Sequence, residues 1–221
     1  MLRVNPLVGF AKSHRRRMAL EFVALASSNG STIVIPATAQ GGQLAVLADM
    51  VWSGISTTSV TPTNWTTPSG GDSGAATHRM VISYKILASG DEGDTITGMN
   101  EDTERKIMGV WRFRDGRPIK SVTVIDCNVE APAAGNPAQQ TVTPVTGQIP
   151  ILGLGFAAHE FAVDDFSTAP TWDGNQTGGG SDQTRLAYIF FQRGVVPADF
   201  NVDIGDMGNH NFLGSMALRV D

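Results

Sequence analysis

The chain has 221 residues, a formal net charge of −5 and 41% hydrophobic residues. This length allows a substantial core without disulfides, and one large domain is a simpler expectation than two small ones. Gly, Ser and Thr are abundant and Lys is scarce, a mixture that favours strands and tight turns over long helices. The single cysteine, Cys127, excludes an internal disulfide and is predicted to be a buried structural thiol.

Charge divides the sequence into a basic arm and an acidic body. Five of the 16 basic residues lie among the first twenty, which contain no acid, so 11 basic residues face 21 acidic ones in the body. We predict a docking arm at residues 1–20 and a folded body at 21–221. Apolar residues precede the arm's charges, which suits a protein groove better than nucleic acid. The anchoring residues are predicted to be Leu2, Val4, Leu7, Phe10, Arg15, Arg16 and Arg17.

The basic run does not predict an export signal. Arg15–Arg17 resembles the start of a twin-arginine signal, but Glu21 interrupts the apolar run that follows. No apolar stretch approaches the length of a membrane span. We expect a soluble protein that is made in the cytoplasm without a signal peptide.

The first half of the body predicts strands with turn signals between them. Asn29-Gly30 separates two short strand-like segments and predicts a hairpin of 21–27 with 32–35. Gln43–Trp52 is almost continuously apolar, which indicates a central strand covered on both faces, with a buried helix as the alternative. Residues 53–77 form a polar loop, in which Trp65 is predicted to plug the end of a sandwich.

Further strands are predicted along the rest of the chain. Arg79–Leu87 alternates between apolar and polar residues, and Asp115-Gly116 predicts a second hairpin, of 109–114 with 119–125. Residues 129–148 are rich in proline and predict a surface excursion, and 164–184 looks exposed. Apolar segments at 149–163, 185–193, 200–204 and 212–220 complete nine or ten strands. This number predicts an all-β, two-sheet antiparallel sandwich of jelly-roll type.

One motif superficially suggests catalysis. Gly71-Asp72-Ser73-Gly74 matches the nucleophile turn of chymotrypsin-like proteases, in which a histidine precedes the serine along the chain. The only histidine before Ser73 is His14, inside the basic arm, so no base is placed to activate the hydroxyl. We therefore interpret the motif as a Gly/Ser turn and expect no enzymatic activity.

Metal and cofactor sites are not predicted either. The four histidines lie far apart, without a metal-binding spacing. Asp91-Glu92-Gly93-Asp94 and Asp164-Asp165 could chelate calcium, but neither has the alternating acids of a calcium loop. Solvated turns are the better interpretation of both.

A ligand site is a weaker candidate in the exposed segment. Trp172 is followed by Asp173 and Asn175 in glycine-rich sequence, and an exposed tryptophan beside polar groups can stack on a sugar. Structural packing of Trp172 explains the pattern equally well. We retain Trp172, Asp173 and Asn175 as candidate residues for a glycan or receptor.

Three short motifs carry a family resemblance. Residues 42–47 (GQLAVL), 62–66 (PTNWT) and 83–91 (SYKILASGD) resemble a recurrent arrangement in small structural proteins of tailed bacteriophages and prophages. The similarity runs from about Phe22 to Val124, with Gln43 and Asn64 replacing the usual acid and glycine. The resemblance implies a β-sandwich virion component of tail, collar or decoration type, and it transfers no catalytic residue.

The predicted function is therefore a non-enzymatic virion protein, attached to other virion proteins through its arm. The first rival is a sandwich that binds carbohydrate or a host receptor, and the second is a hydrolase using Glu160, Asp164 or Asp165. Repeated weak contacts suit symmetric assembly. We expect a homo-oligomer, with a trimer favoured, in which the arm and residues 129–148 make subunit contacts.

Overall fold

The computed structural model describes residues 20–51, 61–74, 79–97, 99, 104–130, 140–142, 151–158, 172–178, 184–191, 200–202 and 212–221. Within these ranges the regular elements are β-strands and none is a helix, which confirms the all-β class. The strands are β1 (Leu20–Ser28), β2 (Ile33–Val34), β3 (Leu44–Val51), β4 (Arg79–Ile86), β5 (Thr95–Ile96), β6 (Glu104–Phe113), β7 (Val122–Glu130), β8 (Gln140–Val142), β9 (Ile151–Ala158), β10 (Gly174–Gly178), β11 (Thr184–Phe191), β12 (Phe200–Val202) and β13 (Phe212–Val220).

Two large antiparallel sheets stack face to face. Their strand orders are β1-β6-β3-β4 and β10-β11-β9-β13-β7, while β2 with β5 and β8 with β12 form two small pairs. Val46 and Trp111 from the first sheet meet Leu154, Phe156 and Met216 from the second in one apolar cluster. The protein is thus a two-sheet antiparallel sandwich, as predicted. Its jelly-roll connectivity stays a prediction.

Each sheet is also apolar on its outer face. Outward side chains of the four-stranded sheet, such as Leu47 and Met108, pack with Ile33 and Trp65 in a second cluster. On the five-stranded sheet, outward side chains such as Ala187 and Leu213 are also buried and form a third cluster. Strands buried on both faces lose the alternation of apolar and polar residues. This explains why β9 is continuously apolar and β3 is almost so, and it confirms the prediction that β3 is a central strand.

The hairpin predicted at Asn29-Gly30 is wrong. β1 pairs with β6, with Leu20 opposite Phe113, whereas β2 pairs with β5. The favoured two-residue turn that Asn-Gly signals requires positive φ at both residues, and neither Asn29 nor Gly30 has it. The chain bends here, and the next strand joins a separate small pair.

The hairpin predicted at Asp115-Gly116 is also wrong, although a turn does form. The Gly116 N–H donates to the Phe113 carbonyl at 2.9 Å. The following strand, β7, pairs with β13 in the opposite sheet rather than with β6. Between the sheets, the Ile119 N–H donates to the Gly42 carbonyl at 2.7 Å. A local turn signal predicts a change of direction but does not say which sheet receives the next strand.

The outer edge of β4 is covered by residues 66–73, here called the edge segment. Thr66 and Tyr84 exchange N–H to carbonyl bonds of 2.9 Å, and the Ile82 N–H donates to the Gly71 carbonyl at 2.7 Å. An uncovered edge strand invites pairing with other chains, so this cover protects the sheet. The predicted alternation of β4 is confirmed, because Met80 and Ile82 face the core and Tyr84 packs against it.

The edge segment is anchored at Trp65, just before its start, and at Gly70 within it. Trp65, just before it, is 8% exposed and packs in the outer cluster of the four-stranded sheet. The predicted burial of Trp65 is confirmed, but the side chain covers a sheet face rather than the end of the sandwich. At Gly70 the segment passes against the backbone of β7, so closely that a Cβ would lie 2.1 Å from the Cys127 carbonyl oxygen.

Several predicted segments lie partly outside the described residues. The arm is outside them except for Leu20, which begins β1. Of residues 129–148, the first two end β7 and residues 140–142 form β8; the remainder is outside. Strand β10 falls within residues 164–184, the segment that the sequence predicts to be exposed. The described residues include no helix long and apolar enough to cross a membrane.

Candidate functional site

The candidate ligand residues Trp172, Asp173 and Asn175 lie at the edge of the five-stranded sheet. The Asp173 N–H donates to the Tyr188 carbonyl at 2.9 Å, and the Asp173 carboxylate accepts the Phe190 N–H at 2.6 Å. These bonds fix the start of β10 against β11. The Asp173 carboxylate is therefore engaged in holding the edge strand, although the residue remains exposed.

The two other candidate residues have different environments. Trp172 is half-buried and packs against the apolar outer face of the five-stranded sheet, as Ile125 and Ile189 also do. Asn175 is exposed on β10, opposite Ala187 of β11. The structure thus places the three residues on one short stretch of chain, with the polar groups at the surface and the indole partly covered.

Sequence reasoning missed an aromatic cluster beside this edge. The Tyr188 ring stacks on Phe22 with centroids 5.0 Å apart, and both rings meet Trp111 edge to face, at 6.0 and 5.7 Å. Phe190 lies 5.3 Å from Tyr188. The cluster joins β1 and β6 of one sheet to β11 of the other. It depends on the nonlocal pairing of β1 with β6, so no local pattern could have revealed it.

Tyr188 is held in a defined position by its neighbours. Burial raises the pKa of its phenol, and the charge of Asp173 raises that pKa further. A Cβ on Gly174, its cross-strand partner, would lie 2.2 Å from the ring, so this position accommodates the ring because it has no side chain. The Trp111 Nε1 is buried and has no hydrogen-bond partner in the described part of the chain. The indole plane is roughly perpendicular to the rings of Phe22 and Tyr188.

The Gly71–Gly74 turn is a structural connection in the described residues. Arg79 donates from Nε and Nη2 to the two carboxylate oxygens of Asp72, with an Nε to Oδ1 distance of 2.7 Å. The hydrogen bond and the charge of Asp72 raise the pKa of Arg79, despite the opposing effect of burial. The Ser73 Oγ accepts the Met80 N–H at 3.2 Å. His14 lies outside the described residues, so its position relative to Ser73 is not defined.

The acidic turn at 91–94 is also held by hydrogen bonds within the chain. The Asp91 carboxylate accepts the Ala88 N–H and pairs with Lys85, at 2.7 and 2.8 Å, and the Glu92 carboxylate accepts the Gly90 N–H at 2.9 Å. Burial alone would raise the pKa of Asp91, but the bonds from Lys85 and Ala88 and the Lys85 charge lower it. These carboxylates stabilise a turn.

No group of three or more His, Cys, Asp and Glu residues lies together among the described residues in a way that could hold a metal. All four histidines, Glu160 and the Asp164-Asp165 pair are outside those residues. Cys127 is buried, and burial together with the charge of Asp126 raises the pKa of its thiol to about 12. Its predicted role as a buried thiol is confirmed.

Comparison with known proteins adds no relative. No protein-family model matches the sequence, and neither a curated protein nor a solved structure matches it.

Proposed function

We propose that the protein is a non-enzymatic structural component of a tailed-phage virion, in the tail, collar or head decoration. The observation that carries this proposal is the contrast between an apolar, basic arm and a densely packed sandwich with a net acidic sequence. An arm of this composition suits docking on a protein surface, while the sandwich supplies a rigid body. The three short motifs that resemble phage structural proteins support the same assignment.

The roles of charged side chains in the body support it further. Arg79 with Asp72, Lys85 with Asp91 and Arg112 with Glu21 join strands or close turns, with shortest distances of 2.5, 2.8 and 2.6 Å. These ion pairs stabilise the fold. A structural component of a virion needs a body that keeps its shape.

The first experiment asks whether the protein copurifies with virions and in what copy number, by quantitative mass spectrometry of purified particles. A fixed copy number that matches a symmetric ring, spike or lattice is expected. Protein that is produced during infection but is absent from purified particles would contradict the proposal.

A shortened chain that begins at Met18 tests the role of the arm. Burying one large apolar side chain contributes roughly 1.5 to 3 kcal/mol, enough for docking but too little to decide whether a core of this size folds. The shortened chain should keep the thermal midpoint of the full chain and fail to enter particles. If it aggregates on expression, the arm belongs to the core and the division at residue 20 is wrong.

We also propose that the protein is a homo-oligomer, most simply a trimer, with the arm and residues 129–148 at subunit contacts. The segment is rich in proline and carries no charge beyond Glu130, which suits contact with a neighbouring subunit. Sedimentation velocity at micromolar concentration should give one oligomeric species. A monomer both in isolation and in the assembled particle would leave residues 129–148 as a surface loop.

Binding of a carbohydrate or host receptor is the second candidate function. It is favoured by the exposed Asn175 and Asp173 beside a half-buried Trp172 at one sheet edge. The test is a glycan array with the full chain and with Trp172→Ala and Asn175→Ala. Binding that both variants lose, at unchanged thermal midpoint, would promote this function. Binding that neither variant changes would exclude these residues as the site.

A further inference from the structure

A buried ion pair lies on the outer face of the four-stranded sheet. The Lys106 Nζ is 3.1 Å from the Asp49 Oδ1, and the two side chains are 0% and 8% exposed. The residues are direct cross-strand partners in β6 and β3, and the neighbouring pair on the same face is Leu47 opposite Met108. In an apolar layer, the cost of removing two charges from water offsets much of their attraction. Net stability alone is thus a weak explanation for the pair.

The alignment of these strands needs a specific determinant. Tight turns fix the register of hairpins, but residues 52–103 separate β3 from β6, and residues 29–103 separate β1 from β6. An alternating pattern fixes register when one face of a sheet is exposed. Because β3 is buried on both faces, its apolar residues distinguish poorly between one alignment and the next.

We propose that the Asp49–Lys106 pair sets the register of β3 against β6. A shift of two residues keeps each side chain on its own face, so it is the nearest competing alignment. One such shift puts Asp49 opposite Glu104 and Lys106 opposite Leu47. The other puts Asp49 opposite Met108 and Lys106 opposite Val51. Of the three alignments, the one in the structure places the opposite charges face to face.

The register matters for both sides of the sheet. In the native alignment Val46 lies opposite Gly109, where a Cβ would fall 2.2 Å from the Trp111 ring. A two-residue shift would bring Ile107 or Trp111, in place of Gly109, opposite Val46 on the inner face. A pair on the outer face therefore protects the packing of the inner face.

Two residue swaps test the proposal at constant amino-acid composition. The first, Leu47→Asp with Asp49→Leu, moves the carboxylate two residues along β3, to the next position on the same face. The second, Lys106→Met with Met108→Lys, moves the ammonium two residues along β6, to the position opposite residue 47. In the native register, each swap alone separates the charges, whereas the two together place Asp at 47 opposite Lys at 108.

Each swap alone should lower the thermal midpoint strongly or prevent folding. The combined four-substitution chain should recover more than half of the lost midpoint, or recover soluble, folded protein where the single swaps give none. A combined chain no better than the worse single swap would overturn the proposal, since complementary charges in register would then not be what the strands require.

Replacing both charged residues with apolar ones gives an independent test of whether the pair sets the register. The double variant Asp49→Leu with Lys106→Met should fold with an unchanged or higher thermal midpoint, because it avoids the burial of charge. Its amide NMR spectrum should show more than one set of peaks for β3 and β6, from coexisting registers. A single set of peaks with native contacts between Ala48 and Ile107 would show that packing alone fixes the register, against the proposal.

Discussion

Gly70 provides the most direct test of how the edge segment is seated on β7. The residue has φ of 79°, a conformation that side chains rarely adopt. In addition, a Cβ at this position would lie 2.1 Å from the carbonyl oxygen of Cys127. Gly74, four residues later, also has a positive φ, of 65°, but a Cβ added there would have no atom within 4 Å. A comparison of Gly70→Ala with Gly74→Ala therefore separates the cost of backbone strain from the cost of steric overlap.

The expected losses of stability differ because an added Cβ would overlap a neighbouring atom at Gly70 but not at Gly74. The left-handed conformation costs a residue with a side chain about 1 to 2 kcal/mol, and this applies to both Gly70→Ala and Gly74→Ala. Relief of the overlap at Gly70 requires the segment to move away from β7. That movement would weaken bonds such as Ile82 N–H to Gly71 carbonyl, each contributing about 0.5 to 1.5 kcal/mol. We expect Gly70→Ala to lower the free energy of unfolding by about 3 kcal/mol in total.

Urea denaturation of the full chain and its two variants measures these free energies of unfolding. Thermal denaturation should agree with them. For a protein of this size, each kcal/mol of lost stability lowers the thermal midpoint by about 2 to 4 °C, so Gly70→Ala should lose about 6 to 12 °C and Gly74→Ala about 2 to 8 °C. Equal losses in the two variants would refute the reasoning. The edge segment would then not press against β7.

Three further predictions concern packing, pH and reactivity. Gly109→Ala should cost about 1 to 3 kcal/mol and change the near-ultraviolet circular dichroism, because its Cβ would overlap the Trp111 ring. The lowered pKa of Asp91 means that its stabilisation is present above the ordinary value of 3.8 and is lost as pH falls through the folded value. Unfolding free energies measured from about pH 6 to about pH 2 should therefore converge for the native chain and Asp91→Asn, and a constant gap would contradict this. With a thiol pKa raised to about 12, Cys127 should resist alkylation at about pH 8 until urea is added; rapid labelling of the folded protein would show that it is accessible.

Most strands could be predicted from the sequence, because the faces of a strand that are buried determine its local pattern of apolar and polar residues. The continuous apolar run of β3 and the alternation of β4 each follow from which faces are covered. The C-terminal strand β13 has the predicted bounds, Phe212–Val220. Strand β10 was missed because Gly174–Gly178 is polar and glycine-rich, as expected for a short edge strand whose stability comes from β11.

Strand pairing could not be predicted in the same way. Asn29-Gly30 and Asp115-Gly116 are strong turn signals, and both precede a strand that joins a different sheet or pair. The energy that decides these pairings comes from apolar layers built by residues far apart in the chain. The candidate site shows the same limit. Asp173 is a candidate ligand residue on its local sequence alone, whereas the aromatic cluster around Tyr188 depends on contacts between two sheets.

The covered edge of β4 bears on the proposed self-association. On one side of the sandwich, the edge segment pairs with β4 and lies against the backbone of β7 at Cys127. Side chains on both outer sheet faces are buried, such as Leu47 and Met108 on the four-stranded sheet and Ala187 and Leu213 on the five-stranded sheet. Strand addition at β4 and face-to-face stacking of two large sheets are therefore poor routes to self-association for the described part of the chain. We therefore choose the arm and residues 129–148 as the first regions to alter when the proposed oligomerisation is measured.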